Sequence, residues 1–120
     1  MYNKQLLIYL HKATAKPLWL EGTANVFSAE IGAKESGVWI KLCLYIKDNT
    51  VHEVRYRVIG SGYLIATLEW ANEFLTGKSL SAVEALNAKL IVEALNLPPQ
   101  RFYCAQMIVD AVMKIMRQAI

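Results

Sequence analysis

The residues with the clearest chemical potential are a thiol and a hydroxyl, each placed where a helix is expected to begin. Cys104 ends the run Arg101-Phe102-Tyr103-Cys104, straight after Leu97-Pro98-Pro99. A thiol in the first turn of a helix feels the positive end of the dipole, which favours thiolate where the sulfur is accessible; otherwise it is a small buried hydrophobe. Ser61 lies in Gly60-Ser61-Gly62, between an expected strand and an expected helix. Glycines there let the backbone approach a ligand, and the following helix N-terminus offers N–H groups to an anion; the plain alternative is a turn with a serine N-cap. Serine hydrolysis is disfavoured, because the two histidines are His11 near the N-terminus and His52 beside the hairpin turn, and no Gly-x-Ser-x-Gly elbow is present. Cys43 stands between Leu42 and Leu44, where Lys41 and Arg55 would depress its pKa if the thiol faces them; a structural strand cysteine is the alternative. Lys41, Arg55 and Arg57, with Trp39 and Tyr45 nearby, form a basic strip that reads either as a single-strand RNA platform or as a solvated sheet face. No Gly-Phe-aromatic RNA-binding signature accompanies it.

These groups need a sheet and helices to position them. From Val38 to Ile46 the even positions are all aliphatic and the odd ones mixed, the pattern of a strand with one buried face. Asp48-Asn49-Thr50 is turn chemistry, and Val54, Tyr56 and Val58 then alternate with Glu53, Arg55 and Arg57. A hairpin that buries both apolar faces on one side sets Lys41 opposite Arg57, Cys43 opposite Arg55 and Tyr45 opposite Glu53. A weaker alternation from Thr23 to Ile31 predicts a third strand, and Asn3 to His11 a short helix ended by Ala15-Lys16-Pro17. Past Gly62 the period becomes helical. Leu64, Ile65, Leu68, Ala71, Phe74 and Leu75 form one stripe, closed by Thr76-Gly77-Lys78. Ser81 and Glu84 fit a capping box opening a second helix through Leu95, with Pro98 and Pro99 as its stop. A last helix, Arg101 to Gln118, places Ala105, Ile108, Val109, Val112 and Met116 on one face. Strands first and helices after imply an α+β domain, with no repeat or linker to divide residues 1–120.

Composition sets the remaining bounds. With 120 residues, 55% apolar and 19% charged, the chain suits one packed domain and neither disorder nor a multidomain machine. Lys41, Glu69, Glu73, Lys89, Glu93, Asp110 and Lys114 interrupt every long apolar stretch, and Met1 opens no signal-peptide pattern. Two cysteines are too few for a disulfide framework or a self-sufficient structural zinc site, so a reducing cytoplasmic setting is expected. A net charge of +3 is lower than that of most single-domain nucleic-acid binders.

Three landmarks occur in order. They are Gly32-Ala33-Lys34-Glu35-Ser36-Gly37 before a Lys41-Leu42 strand, Gly60-Ser61-Gly62 before a helix ending Gly77-Lys78-Ser79-Leu80, and Leu97-Pro98-Pro99 leading to Tyr103-Cys104. Together they resemble the iron–sulfur cluster assembly scaffold family, IscU and the N-terminal domain of NifU, from about Tyr2 to the last helix. From Gly60 to Cys104 the match needs no insertion or deletion, while the hairpin turn is about one residue short. The resemblance implies the SufE/NifU-like (IscU-like) fold, a three-stranded antiparallel sheet packed against helices. It also implies a non-enzymatic protein that handles an iron–sulfur cluster. The family assembles that cluster on cysteines in a Gly-Ala-Pro-x-Cys-Gly-Asp loop, in a Gly-Cys-Gly turn, and after a His near the start of the last helix. In this chain the first cysteine position holds Ser36 and its acidic neighbour position Val38. The second holds Ser61, the His position holds Tyr103, and Cys104 alone is retained as the candidate metal ligand. Cys43 matches no ligand position.

The family's Leu-Pro-Pro-Val-Lys segment, bound by an Hsp70-type chaperone, reads here Leu97-Pro98-Pro99-Gln100-Arg101. The implied partners are that chaperone and a cysteine desulfurase, and a homo-oligomer or an external thiol would be needed to complete any cluster. One reading is therefore a scaffold-like protein with a degenerate cluster site. A second is a pseudo-scaffold that regulates desulfurase, chaperone or a true scaffold without carrying a cluster. The third is single-stranded nucleic-acid binding through the sheet face.

Overall fold

The alternation of apolar residues in the central hairpin decides most of the architecture. The computed structural model describes residues 2–14 and 16–119, and β2 (Val38–Lys47) pairs antiparallel with β3 (Thr50–Ile59). Lys41 faces Arg57, Cys43 faces Arg55 and Tyr45 faces Glu53, as the burial argument requires. Ile40, Leu42 and Leu44 are fully buried, with Val54 and Tyr56 beside them. The turn is tighter than Asp48-Asn49-Thr50. Asp48 and Asn49 take φ of 53° and 57°, as in a two-residue type I′ turn, and Thr50 already pairs with Lys47. The register shifts between Tyr45 and Ile46, so that Ile46 faces Val51 and His52 is the extra residue of a β-bulge. That bulge reverses the alternation and carries Val51 into the core.

The third strand, β1, runs Val26–Ala33 and not from Thr23, pairing antiparallel with β2 to give the order β1-β2-β3. Gly32 within it takes φ +88°, and the Val38 carbonyl oxygen leaves no room for a Cβ there. The first helix, α1 (Lys4–Lys12), is capped by Asn3, whose Oδ1 accepts from Leu6 N at 2.8 Å. Asn3 Nδ2 donates to the carbonyls of Leu95 and Asn96, tying the N-terminus to a distant helix end. Ala15, part of the expected helix stop, lies outside the described residues.

Helix α2 (Gly62–Leu75) buries Leu64, Leu68, Ala71 and Leu75. Beyond it the expected continuous helix from Ser81 is not formed. Ser79 caps a single turn, α3 (Leu80–Val83), its Oγ accepting from Ala82 N, and Asn87 caps a separate α4 (Ala88–Leu95) through Leu90 N at 2.8 Å. The cause is tertiary. Ser79 bridges Thr50 and Leu80 N donates to the Asn49 carbonyl, so the chain leaves the edge of β3 at a set point and must turn before a helix can lie on the core. Asn96 ends α4 in the left-handed conformation, and Pro99–Arg101 forms a 3₁₀ turn into α5 (Phe102–Ala119). Helix α5 buries Cys104, Ile108, Ala111 and Ile115 in one row with Ala105 and Val112 beside it; Val109 and Met116 are only half-buried.

The outer face of the sheet is partly covered by the chain itself. Residues 16–23 pass over it, Arg57 Nη1 donating to the Lys16 carbonyl and Arg55 Nη1 to the Pro17 carbonyl at 2.9 Å. The Arg55 guanidinium also lies 4.1 Å over the Trp19 ring and donates to Glu53. Beneath this strap Cys43 is buried, and Trp39, also buried, donates its indole N–H to Glu30. Two of the three basic side chains of the strip, Arg55 and Arg57, thus hold the chain's own backbone.

Candidate functional site

Antiparallel pairing brings distant loops to one end of the sheet. Ala33 pairs with Val38 and Trp39 with Ile59, so residues 34–37 and 60–62 emerge side by side. Helix α5 runs antiparallel to β1, Gln118 donating to the Ser28 carbonyl and Lys114 to that of Glu30. Its first turn, with Tyr103 and Cys104, therefore comes to the same end. Ser36, Ser61, Tyr103 and Cys104 share this end of the molecule, whereas Cys43 sits in mid-strand under the strap.

Ser36 is exposed at the close of a 3₁₀ turn (Lys34–Ser36), its hydroxyl donating to the Ala33 carbonyl at 2.8 Å. Ser61 has the backbone of an N-cap, φ −74° and ψ 168°, but its side chain makes no capping bond. Its Oγ is buried and, among the described residues, has no hydrogen-bond partner. Tyr103 is 37% exposed and its hydroxyl accepts from Arg101 Nη1 at 3.1 Å. The Arg101 guanidinium also lies 4.8 Å over the Tyr63 ring, and Tyr2 meets that ring edge-on with centroids 4.9 Å apart. The Tyr2 hydroxyl occupies the space above Gly62 where a Cβ would stand.

Cys104 is fully buried, the small buried hydrophobe of the two readings its position allowed. Burial pushes its thiol up; the Tyr103 side chain and the Arg101 charge oppose this without cancelling it. Cys43 is likewise a buried strand cysteine, and burial outweighs the lowering from Lys41 and Arg57. Among the described residues no group of three or more His, Cys, Asp or Glu is placed to hold a metal ion. Two hydroxyls, a phenol and one buried, protonated thiol do not fit an iron–sulfur cluster, which is held by thiolates.

Next to this end, Leu97 is buried while Pro99 and Gln100 are exposed. A groove of about 610 Å³ between α4 and α5 is lined by Val92, Phe102, Tyr103 and Gln106, and Phe102 is 45% exposed. Sequence reasoning missed Tyr2 and Tyr63 because their contacts join segments far apart in the chain. Nothing local to either residue signals them. No described helix is long and apolar enough to cross a membrane.

Comparison with known proteins agrees with this architecture. The family model described as the NifU-like N terminal domain matches residues 14–118. The iron-sulfur cluster assembly scaffold protein IscU of Escherichia coli K12 is 33% identical over 89 residues, covering 73% of this chain and 70% of that protein. IscU of Buchnera aphidicola is 27% identical over 112 residues, covering 92% and 88%. Among solved structures, a scaffold assigned to the SUF system of Fervidobacterium Islandicum AW-1 superposes with TM-score 0.72 at 17% identity, covering 96% of each chain. The NifU-like N-terminal protein of Brucella abortus gives 0.68 at 18%, covering 97% and 92%; both show the shared fold. On the extent of the family match and the identity to IscU, the chain belongs to the NifU-like N-terminal domain family.

Proposed function

We propose that this chain is an iron–sulfur cluster assembly scaffold-like protein with a degenerate cluster site, non-enzymatic and working in the cytoplasm. Family membership supports the process, and relatives named as IscU scaffolds support the role. The degenerate site is supported by the ligand-type positions themselves, which hold Ser36, Ser61 and Tyr103 and leave Cys104 as the one thiol among them. Both cysteines are free, which suits a reducing compartment. By this reading the chain does not hold a cluster alone. Cys104 would serve as one ligand or as a sulfur acceptor only with a second copy or an external thiol beside it.

The burial of Cys104 favours a second reading, a pseudo-scaffold that binds the cysteine desulfurase, the Hsp70-type chaperone or a true scaffold as a regulator. The exposed Pro99-Gln100 turn supports chaperone contact.

Anaerobic reconstitution with ferrous iron and sulfide tests the first reading. The chain alone should gain no visible charge-transfer absorption and no stoichiometric iron, and uptake of a stable cluster by the wild-type monomer would sink it. Pull-down with purified desulfurase and chaperone tests the second, which requires capture of at least one of them.

A further inference from the structure

We propose that two copies of this chain associate through the exposed stripe of α5, the two α5 helices lying parallel about a twofold axis that runs along them. Phe102, Gln106, Val109, Met113 and Met116 recur at alternating intervals of four and three, the spacing of a coiled-coil seam. This stripe is separate from the row that seats α5 on the core, and none of its residues is buried; Phe102 is 45% and Met113 49% exposed. It forms one wall of two grooves in line, the α4–α5 groove described above and one of about 520 Å³ walled on its other side by Val83 and Leu86. Apolar side chains clustered at a groove on the surface mark a contact face. The fold already holds α5 as a helix, so a short seam needs no helix nucleation to pair.

The charges on the rims select a second copy as the occupant. Glu84 stands on the α3 side of the second groove and Arg117 on the α5 side, and neither side chain makes an ion pair among the described residues. A twofold axis along the groove exchanges the two sides, so each Glu84 meets the Arg117 of the other copy. An axis across the groove sets Glu84 against Glu84 and Arg117 against Arg117. In a parallel coiled coil the partner of a flanking charge sits beside the seam of the facing helix. Here those positions are Ala105 and Val112, both buried in their own core, and Glu84 takes their place. Gln106 is the one polar seam residue. It donates to Asp110 and keeps its Oε1 to accept from the Gln106 amide of the other copy, which sets the register. With the helices parallel, both first turns of α5 and their Cys104 residues come to one end of the dimer. The pairing supplies the second copy that the cluster reading calls for, yet it rests on the surface alone.

Sedimentation velocity on the full chain, at up to about 100 µM, tests the association, and a dimer is expected. Met113→Lys places like charges at the seam and Arg117→Glu opposes Glu84; each should raise the dissociation constant about tenfold or more. Glu84→Arg combined with Arg117→Glu should return it to within about threefold of wild type. These side chains are exposed, so the variants should keep the wild-type unfolding midpoint at dilutions where the chain is monomeric. Gln106→Cys reads the orientation, since mild oxidation should link position 106 of one copy to position 106 of the other, as identified by peptide mass. A monomer throughout, a dimer indifferent to Met113→Lys, a double reversal that fails to rescue, or no link between the two 106 positions would each overturn the proposal. No iron enters these measurements, so such a result leaves the cluster reading to its own reconstitution.

Discussion

Replacing Ser61 by alanine separates two accounts of the β3–α2 turn by the sign of one number. If Ser61 is an ordinary N-cap, Ser61→Ala costs about 1 kcal/mol, because an N–H of the first helical turn loses its acceptor. In the structure the side chain makes no such bond, and Oγ is buried without a partner among the described residues. A hydroxyl desolvated with nothing in return costs about 1–3 kcal/mol. Alanine removes that penalty and leaves a space of only one oxygen, so the variant should be more stable by about 1 kcal/mol. For a domain of this size that is a rise of about 4 °C in Tm. Urea unfolding is the decisive assay, with the midpoint moving up and the slope unchanged. Ser61→Cys belongs to the same experiment, since a thiol tolerates the lack of a partner and the variant should fold as well as wild type. A loss of about 1 kcal/mol in Ser61→Ala would refute the reasoning and show that the hydroxyl caps the helix or holds a bound group in solution.

Three further outcomes follow from the geometry. Gly32→Ala should destabilise the domain by about 3 kcal/mol, measured by urea unfolding, because a left-handed backbone and a carbonyl contact both oppose a Cβ there. Removing both strap anchors, Arg55→Ala with Arg57→Ala, should raise Cys43 alkylation about tenfold while leaving Cys104 unchanged; equal rates at Cys43 would deny the strap its role. Below pH 9.0, the ordinary thiol value, the two cysteines should add no pH dependence to stability, and stability should fall as pH rises above it. Burial raises both thiols, so the unfolded chain loses those protons first and is favoured by base; Tyr9 and Tyr56, also raised, extend the decline. Cys43→Ala with Cys104→Ala should flatten the first part of that slope.

The hairpin register was legible because a period of two leaves one solution once both apolar faces must meet. The His52 bulge was not legible, because it follows from how a two-residue turn joins strands whose alternation is already set. Ser81 and Glu84 satisfy a capping box locally, yet pairing of residues 77–80 along β3 decides where the helix starts. That Ser36, Ser61 and Tyr103-Cys104 come to one end of the sheet could be anticipated only through the family resemblance that the glycine and proline landmarks carry. The burial of Cys104 could not. Its row, with Ile108, Ala111 and Ile115, is recognised as inward-facing only once α5 is seated on β1.

The strap over the outer sheet face is gripped through the main-chain oxygens of Lys16 and Pro17. Every residue type carries such an oxygen, so the two arginines do not read which side chain lies there. Sequence along residues 16–23 can drift, Trp19 apart, without loosening the cover. Alignments that weigh side-chain identity will undervalue it, and a peptide grafted there would be tolerated so long as its backbone follows the same path. The selective burden falls on Arg55 and Arg57, so a natural variant that loses either will show its defect in a segment about forty residues away.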